Sequence, residues 1–281
     1  AIAEGKKVGA DLLLATDPDA DRLGVAVRDG EDYVLLTGNQ LGALVINYLI
    51  EAKKEAGTLP KNAVVLKTIV TSELGASIAC ANGVEVVDVL TGFKYIAEKI
   101  EQYTTTGEKA FLFGYEESYG YLVKDFVRDK DAVQLALVTA EMASYYAAQG
   151  KTLLHALHDL FETYGYYKEA LISKAFVGKS GQEEMQQLLT NYRNNPLTEI
   201  AGVAVTCVED YLTQTATFAD GTTKDMTLPS ENVLKYVLAD GSWVAIRPSG
   251  TEPKCKFYVG VKASSMQEAE QKVVALKQQF A

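Results

Sequence analysis

The chain has 281 residues, 48% of them hydrophobic and 23% charged; at about 150 residues per domain this is two domains, or three small ones, with ample sequence for real cores. Lys and Arg number 27 against 37 Asp and Glu, a net charge of −10, so the average field repels nucleic acid and anionic lipid, and any bound phosphate needs a local basic pocket that opposes it. No apolar run approaches the ~20 residues of a transmembrane helix, and three scattered cysteines, Cys80, Cys207 and Cys255, suit neither a disulfide framework nor a cysteine zinc site.

The first residues, Ala1 to Lys7, lack the hydrophobic stretch of a signal peptide and open without Met, as if in the middle of a helix. A cytoplasmic fragment of something longer is expected. Asp11 to Thr16 (DLLLAT) reads as a buried strand, followed by the loop Asp17-Pro18-Asp19-Ala20-Asp21-Arg22. Leu23 to Val27 and Tyr33 to Leu36 flank Asp29-Gly30, a hairpin turn. Leu41, Leu44, Val45, Tyr48 and Leu49 then form one helical stripe.

Strands at Ala63 to Val70, Glu85 to Val89 and Ala110 to Phe113 alternate with helices that start near Ser72, Phe93 and Asp131. Such alternation predicts a parallel, layered α/β domain over about 37–150, with one more helix carrying Leu153, Ala156, Leu157, Leu160 and Phe161. After about residue 175 the texture changes to a smaller α+β domain. A helix from Gln182 to Tyr192 leads into short strands at Val203 to Val208, Thr213 to Phe218, Met226 to Leu228, Val233 to Leu238, Trp243 to Ile246 and Lys256 to Val261, and a helix closes the chain from Ser265 to Phe280.

Four segments could carry chemistry. In Asp17-Pro18-Asp19-Ala20-Asp21-Arg22, carboxylates at every second position can converge if the backbone curls, and a hard divalent cation such as Mg²⁺ would relieve their repulsion. A solvated acidic turn is the plainer alternative. An EF-hand is excluded, because Arg22 and Arg28 stand where Gly and Glu are required. In Gly114-Tyr115-Glu116-Glu117-Ser118-Tyr119-Gly120, paired carboxylates and Ser118 suit vicinal sugar hydroxyls, although an ordinary loop has the same composition. Lys130 could reach a ligand held there, or simply be solvated.

In Arg247-Pro248-Ser249-Gly250-Thr251-Glu252-Pro253-Lys254, a guanidinium fork and consecutive N–H groups can form an anion nest, or a bland hairpin. No Walker A loop is present. Lys94, in Thr91-Gly92-Phe93-Lys94, sits at a helix start, where it could contact phosphate or move a proton. His155 and His158 read as surface or core-edge residues.

DPDADR, TGFK, GYEESYG and RPSGTEPK, in that order and spacing, resemble the α-D-phosphohexomutase family, nearest its bacterial phosphoglucomutase branch, over essentially the whole chain. The resemblance implies interconversion of glucose 1-phosphate and glucose 6-phosphate through a phosphoserine and a glucose 1,6-bisphosphate intermediate. It implies Mg²⁺ on Asp17, Asp19 and Asp21 with Arg22 beside them, sugar recognition by Glu116 and Ser118, and a distal phosphate on Arg247, Ser249, Gly250 and Thr251.

Two departures stand out. No Ser-His-Asn-Pro type segment carries the family's catalytic serine, and Gly120 stands where some relatives have a histidine; Lys94 is therefore a candidate acid/base. The expected layout is a domain-two remnant to 35, domain three over 36–173 and domain four over 174–281, with the amino-terminal domains missing and the fragment inactive alone. The partner expected is a small sugar phosphate, with neither nucleic acid nor membrane. Mannose or pentose phosphates are alternative substrates, and a non-catalytic sugar-phosphate-binding module is an alternative of another class.

Overall fold

The computed structural model describes residues 1–176, 178–249 and 254–280, and the chain divides into two compact units, Ala1–Tyr164 and Gly165–Ala281. The first unit opens with helix α1 (Ile2–Val8), closed by Gly9 at φ 65°, where a left-handed backbone favours glycine. Strands β1 (Leu12–Thr16), β2 (Leu23–Asp29) and β3 (Asp32–Leu36) make a three-stranded antiparallel sheet in that order. The Asp29-Gly30 turn falls where its residues predict, with Gly30 at φ 61°. The apolar β1, expected to be buried, is instead an edge strand, with Leu12 and Leu13 half-buried and Leu14 exposed. Leu23, Val25 and Val27 of the central β2 carry the core. Apolar composition alone does not say which of several apolar strands lies inside.

Helix α2 (Gly38–Glu55) starts with a capping box: Thr37 Oγ1 accepts the Gln40 amide at 3.2 Å, and Gln40 Oε1 accepts the Thr37 amide at 3.0 Å. The alternation then follows as expected, through β4 (Ala63–Thr68), α3 (Glu73–Ala81), β5 (Glu85–Val89), α4 (Phe93–Thr106), β6 (Ala110–Tyr115), β7 (Tyr121–Leu122), α5 (Ala132–Ala148) and α6 (Leu153–Tyr164). The sheet order is β5-β4-β6-β7; β4 runs parallel to β5 and β6, and β7 returns antiparallel. Every residue of β4 is buried, as a central parallel strand requires. That includes Lys67, at 1% exposure.

Lys67 is accommodated because its ammonium meets Glu73 at 2.9 Å and Asp88 at 3.0 Å. Burial pulls its pKa down, but these two carboxylates outweigh burial and hold it above the ordinary lysine value. The pairs bind α3 and β5 to the central strand near its carboxyl end. At the same end, Ser72 caps α3, Gly92 opens α4 and the loop after β6 begins. Ligands of open α/β sheets gather at such ends.

The second unit contains β8 (Tyr166–Ala175), α7 (Gly178–Asn194), β9 (Glu199–Ile200), β10 (Val203–Asp210), β11 (Thr215–Phe218), β12 (Thr223–Asp225), β13 (Leu234–Leu238), β14 (Trp243–Pro248), β15 (Lys254–Ala263) and α8 (Met266–Phe280). Its antiparallel sheet runs β12-β11-β10-β13-β14-β15-β8, with β9 beside β10. Strand β8, unassigned by local pattern, pairs with β15 along its whole length; its register partner lies far away in sequence, out of reach of periodicity. The strand expected at Met226 to Leu228 lies instead at Thr223–Asp225, exposed at every position. The core packs Leu189 of α7 and Ala269, Val273, Leu276 and Phe280 of α8 against Tyr236, Ile246 and Phe257. The rings of Phe257 and Phe280 stand 5.3 Å apart. Among the described residues no helix is long and apolar enough to cross a membrane.

Candidate active site

The aspartate loop is the connection between β1 and β2, an antiparallel hairpin rather than a strand-to-helix crossover. Its curl is visible in the backbone. Ala20 adopts φ 56°, a conformation that costs a non-glycine residue free energy and that clusters at functional sites. Asp17 Oδ1 accepts the amides of Asp21 at 3.2 Å and Arg22 at 3.1 Å, closing the loop on itself. Burial works against the Asp17 carboxylate, but these amides and the neighbouring carboxyl groups outweigh it and hold its pKa below the ordinary value. One carboxylate oxygen each from Asp17, Asp19 and Asp21 falls within 4.8 Å of the others. Asp21 Oδ1 is buried and accepts no hydrogen bond among the described residues, while Arg22 Nε stands 3.8 Å from it. Three convergent carboxylate oxygens, together with a buried Asp21 oxygen that has no hydrogen-bond partner among the described residues, make a donor set that fits a hard divalent cation.

The glutamate loop leaves the carboxyl end of β6. Its first glutamate is buried, at 7% exposure, and Glu116 Oε1 accepts the Gly92 amide at 2.9 Å. Burial raises the Glu116 pKa, and the Gly92 amide, Lys130 and Arg22 offset only part of that rise. Glu117 turns to the end of β4, its Oε2 3.4 Å from Thr68 Oγ1 and 3.5 Å from Thr71 Oγ1. Thus the two consecutive glutamates face different supports. Ser118 is half-buried and Tyr119 sits at φ 68°. The loop closes on itself through Glu116 N–H to Gly120 O at 2.9 Å.

The two loops are joined directly. Leu23 N donates to Tyr119 O at 3.2 Å, and Arg22 and Gly120 form an antiparallel bridge. Ala132 N, at the start of α5, donates to Ala20 O at 3.0 Å. Lys130, just before that helix, places its ammonium 3.0 Å from Asp21 Oδ2 and 3.0 Å from Asp129 Oδ1. Partial burial lowers the Lys130 pKa, but these carboxylates outweigh it and leave it raised. The structure therefore brings Asp17, Asp19, Asp21, Arg22, Glu116 and Lys130 into one neighbourhood of the first unit.

Lys94 is different. It is exposed, with its ammonium over the Tyr95 ring at 4.7 Å, and among the described residues no hydrogen bond or ion pair joins it to either loop. His155 accepts the Thr152 amide at 3.1 Å, a helix-start contact. In the second unit, Arg247 lies near the end of β14 with Nε 3.2 Å from Glu231 Oε1, and Ser249 N donates to Lys254 O at 2.7 Å. Gly250 and Thr251, expected in the same phosphate loop, lie outside the described residues.

Sequence reasoning missed Gly38, Thr68 and Thr71, which support the glutamate loop, and Glu231, which holds Arg247. Tertiary packing alone reveals them. An added Cβ on Gly38 would lie 2.2 Å from the Glu117 carbonyl oxygen.

Two family models match the chain: "Phosphoglucomutase/phosphomannomutase, alpha/beta/alpha domain III" over residues 37–164, and "Phosphoglucomutase/phosphomannomutase, C-terminal domain" over residues 185–277. A phosphoglucomutase of Staphylococcus aureus (strain MSSA476) is 41% identical over 278 residues, covering 98% of this chain and 49% of the relative. The chain thus spans about half the length of the curated relatives it matches. Among solved structures, parafusin (a phosphoglucomutase) from Paramecium in its open form aligns with TM-score 0.63 at 18% identity, over 96% of this chain and 44% of that one. A phosphoglucomutase/phosphomannomutase family protein from Burkholderia thailandensis aligns with TM-score 0.59 at 16% identity, over 99% and 48%. At these identities the two structures show the fold. The chain belongs to the phosphoglucomutase/phosphomannomutase family.

Proposed function

We propose that the chain is the metal-, sugar- and distal-phosphate-binding portion of an enzyme that interconverts glucose 1-phosphate and glucose 6-phosphate. The observation that carries this reading is the backbone joint between the aspartate and glutamate loops, Leu23 N to Tyr119 O and Arg22 to Gly120. It sets a hard-cation donor set beside a buried carboxylate suited to sugar hydroxyls.

Phosphoryl transfer is mostly positioning and charge neutralisation. Mg²⁺ bound by Asp17, Asp19 and Asp21 would supply positive charge at the transferring phosphate, and Arg22 adds a second cation there. Glu116 and Ser118 accept and donate hydrogen bonds to sugar hydroxyls and so fix which end of the sugar faces the aspartates. Arg247 and Ser249, with Gly250 and Thr251, grip the phosphate that does not react. Glu231 holds the Arg247 guanidinium in place for that contact. The phosphoryl-carrying serine belongs to sequence that this chain does not contain, and glucose 1,6-bisphosphate is the intermediate that reorients between half-reactions. By the same reasoning the 281-residue chain alone turns nothing over.

The test is a coupled assay with Mg²⁺ on a polypeptide that carries this chain at the length of its relatives, offered glucose, mannose and pentose 1-phosphates. Glucose 1-phosphate should give the highest kcat/KM. A clear preference for mannose or pentose would move the substrate within the family, and no turnover on any of the three would leave a sugar-phosphate-binding module.

A further inference from the structure

Lys130 occupies a place that links the two loops. Its ammonium is shared between Asp21 Oδ2 and Asp129 Oδ1, each at 3.0 Å, and lies 5.4 Å from the centre of the Phe93 ring. Its stem crosses Gly120 so closely that a Cβ on that residue would lie 2.3 Å from Lys130 Cδ and 3.0 Å from Cγ. Glu116 Oε2 flanks the same spot, 3.4 Å from that Cβ position. The missing side chain at residue 120 is what lets the lysine pass from the segment before α5 to the aspartates. The carboxylates of Asp21 and Asp129 hold its ammonium, Arg22 Nε stands 3.8 Å from the same Asp21, and Lys130 and Arg22 both act electrostatically on Glu116.

We propose that Lys130 is a built-in competitor for the cation site: its ammonium neutralises Asp21 in the metal-free loop, and a divalent cation on Asp17, Asp19 and Asp21 displaces it towards Glu116. This rests on the metal reading of the aspartates given above. An ammonium and a divalent cation on one carboxylate repel, so the cation binds against the lysine's charge. The displaced ammonium meets a ready acceptor, because Glu116 already flanks its stem. Metal occupancy is thereby communicated to the loop that receives the sugar, and Lys130 acts as a positioning residue for both. Gly120 is the permissive partner of this arrangement.

The experiment is a Mg²⁺ titration of the 281-residue chain, followed by calorimetry and by amide NMR, in wild type, Lys130→Met and Gly120→Ala. Methionine keeps the stem over Gly120 and removes the charge; alanine at 120 keeps the charge and pushes the stem away. Wild type should bind weakly, and Lys130→Met at least about tenfold more tightly, since a competing charge near the protein surface weighs at least that much. Gly120→Ala should also tighten binding. The Gly92 amide, which donates to Glu116, should shift with Mg²⁺ in wild type and stay still in Lys130→Met. Equal or weaker affinity in both variants, or a Gly92 shift that survives Lys130→Met, overturns the proposal while leaving the metal site standing. No saturable binding in any variant up to about 50 mM Mg²⁺, beyond the weak range of protein sites for such hard cations, removes the metal reading and this inference with it. Circular dichroism confirms that each variant is folded, and either variant alone suffices for the affinity comparison.

Discussion

Replacing Gly38 by alanine adds one methyl group where the structure has no room for it. The new Cβ would lie 2.2 Å from the Glu117 carbonyl oxygen, 2.9 Å from its carbon and 3.0 Å from the Tyr119 nitrogen. These are backbone atoms, so no side-chain rotation relieves the clash. The loop they belong to is anchored by Leu23 N to Tyr119 O at 3.2 Å and Glu116 N to Gly120 O at 2.9 Å, and Tyr121 Oη donates to Gly38 O at 3.1 Å. Overpacking of this kind costs about 1–3 kcal/mol, and alanine at a helical position recovers up to ~1 kcal/mol over glycine. A net loss of about 1–2 kcal/mol should lower Tm by roughly 3–6 °C for a unit of this size. Differential scanning calorimetry on the chain measures it. Gly24→Ala is the control, because its Cβ would meet only Ala15 O at an ordinary 3.7 Å. In the longer polypeptide the displaced loop should raise KM for the sugar phosphate. If Gly38→Ala melts within about 1 °C of wild type and leaves KM unchanged, the loop does not rest on α2 in the way argued.

Lys67→Ala should cost about 2–4 kcal/mol in urea unfolding, because it leaves a cavity and strips two carboxylates of their partner, though both reach water. Since the pKa of Lys67 is raised in the fold, its contribution is complete below the ordinary lysine value and is lost as pH climbs through the raised one; Lys67→Met should abolish that alkaline loss. Glu116 is a carboxyl whose pKa burial raises, so its own contribution to stability should be fully present below the ordinary glutamate value and be lost as pH rises through the raised one. Glu116→Gln should flatten that decline in a series of urea midpoints against pH. Arg247→Ala should weaken inorganic phosphate binding to the chain more than Ser249→Ala does, by ~1.5–3 against ~0.5–1.5 kcal/mol, because the first contact is charge-assisted; equal effects would make the loop a hairpin only.

Much of the first unit was legible because its signals are local. Alternation of apolar runs with helical stripes predicts the parallel β4, β5 and β6, and the every-second-residue aspartates predict the converging oxygens seen within 4.8 Å. What was illegible depends on partners distant in the chain. Strand β8 is half-exposed and acquires its identity from β15, and DLLLAT reads as core until β2 is seen to cover only one edge of it. The ion pair of Lys130 with Asp21 could not be read either, although its reach toward the glutamate loop could, because the lysine stem lies where a side chain at Gly120 would stand. The equal-looking pair Glu116-Glu117 hides a division of labour, one residue bound to the start of α4 and the other facing the threonines at the end of β4.

On the proposed function, this chain would recognise a sugar phosphate and a cation while another part of the polypeptide carries the phosphoryl group. The most direct measurement is to incubate the longer polypeptide with glucose 1,6-bisphosphate radiolabelled in its phosphates, in the presence of Mg²⁺, and to locate the covalent label by peptide mapping. The expected result is a labelled serine outside residues 1–281 and no label within them, with labelling suppressed by Asp19→Asn. Label on Ser118 or Ser249, or no covalent label on the polypeptide at all, would contradict it.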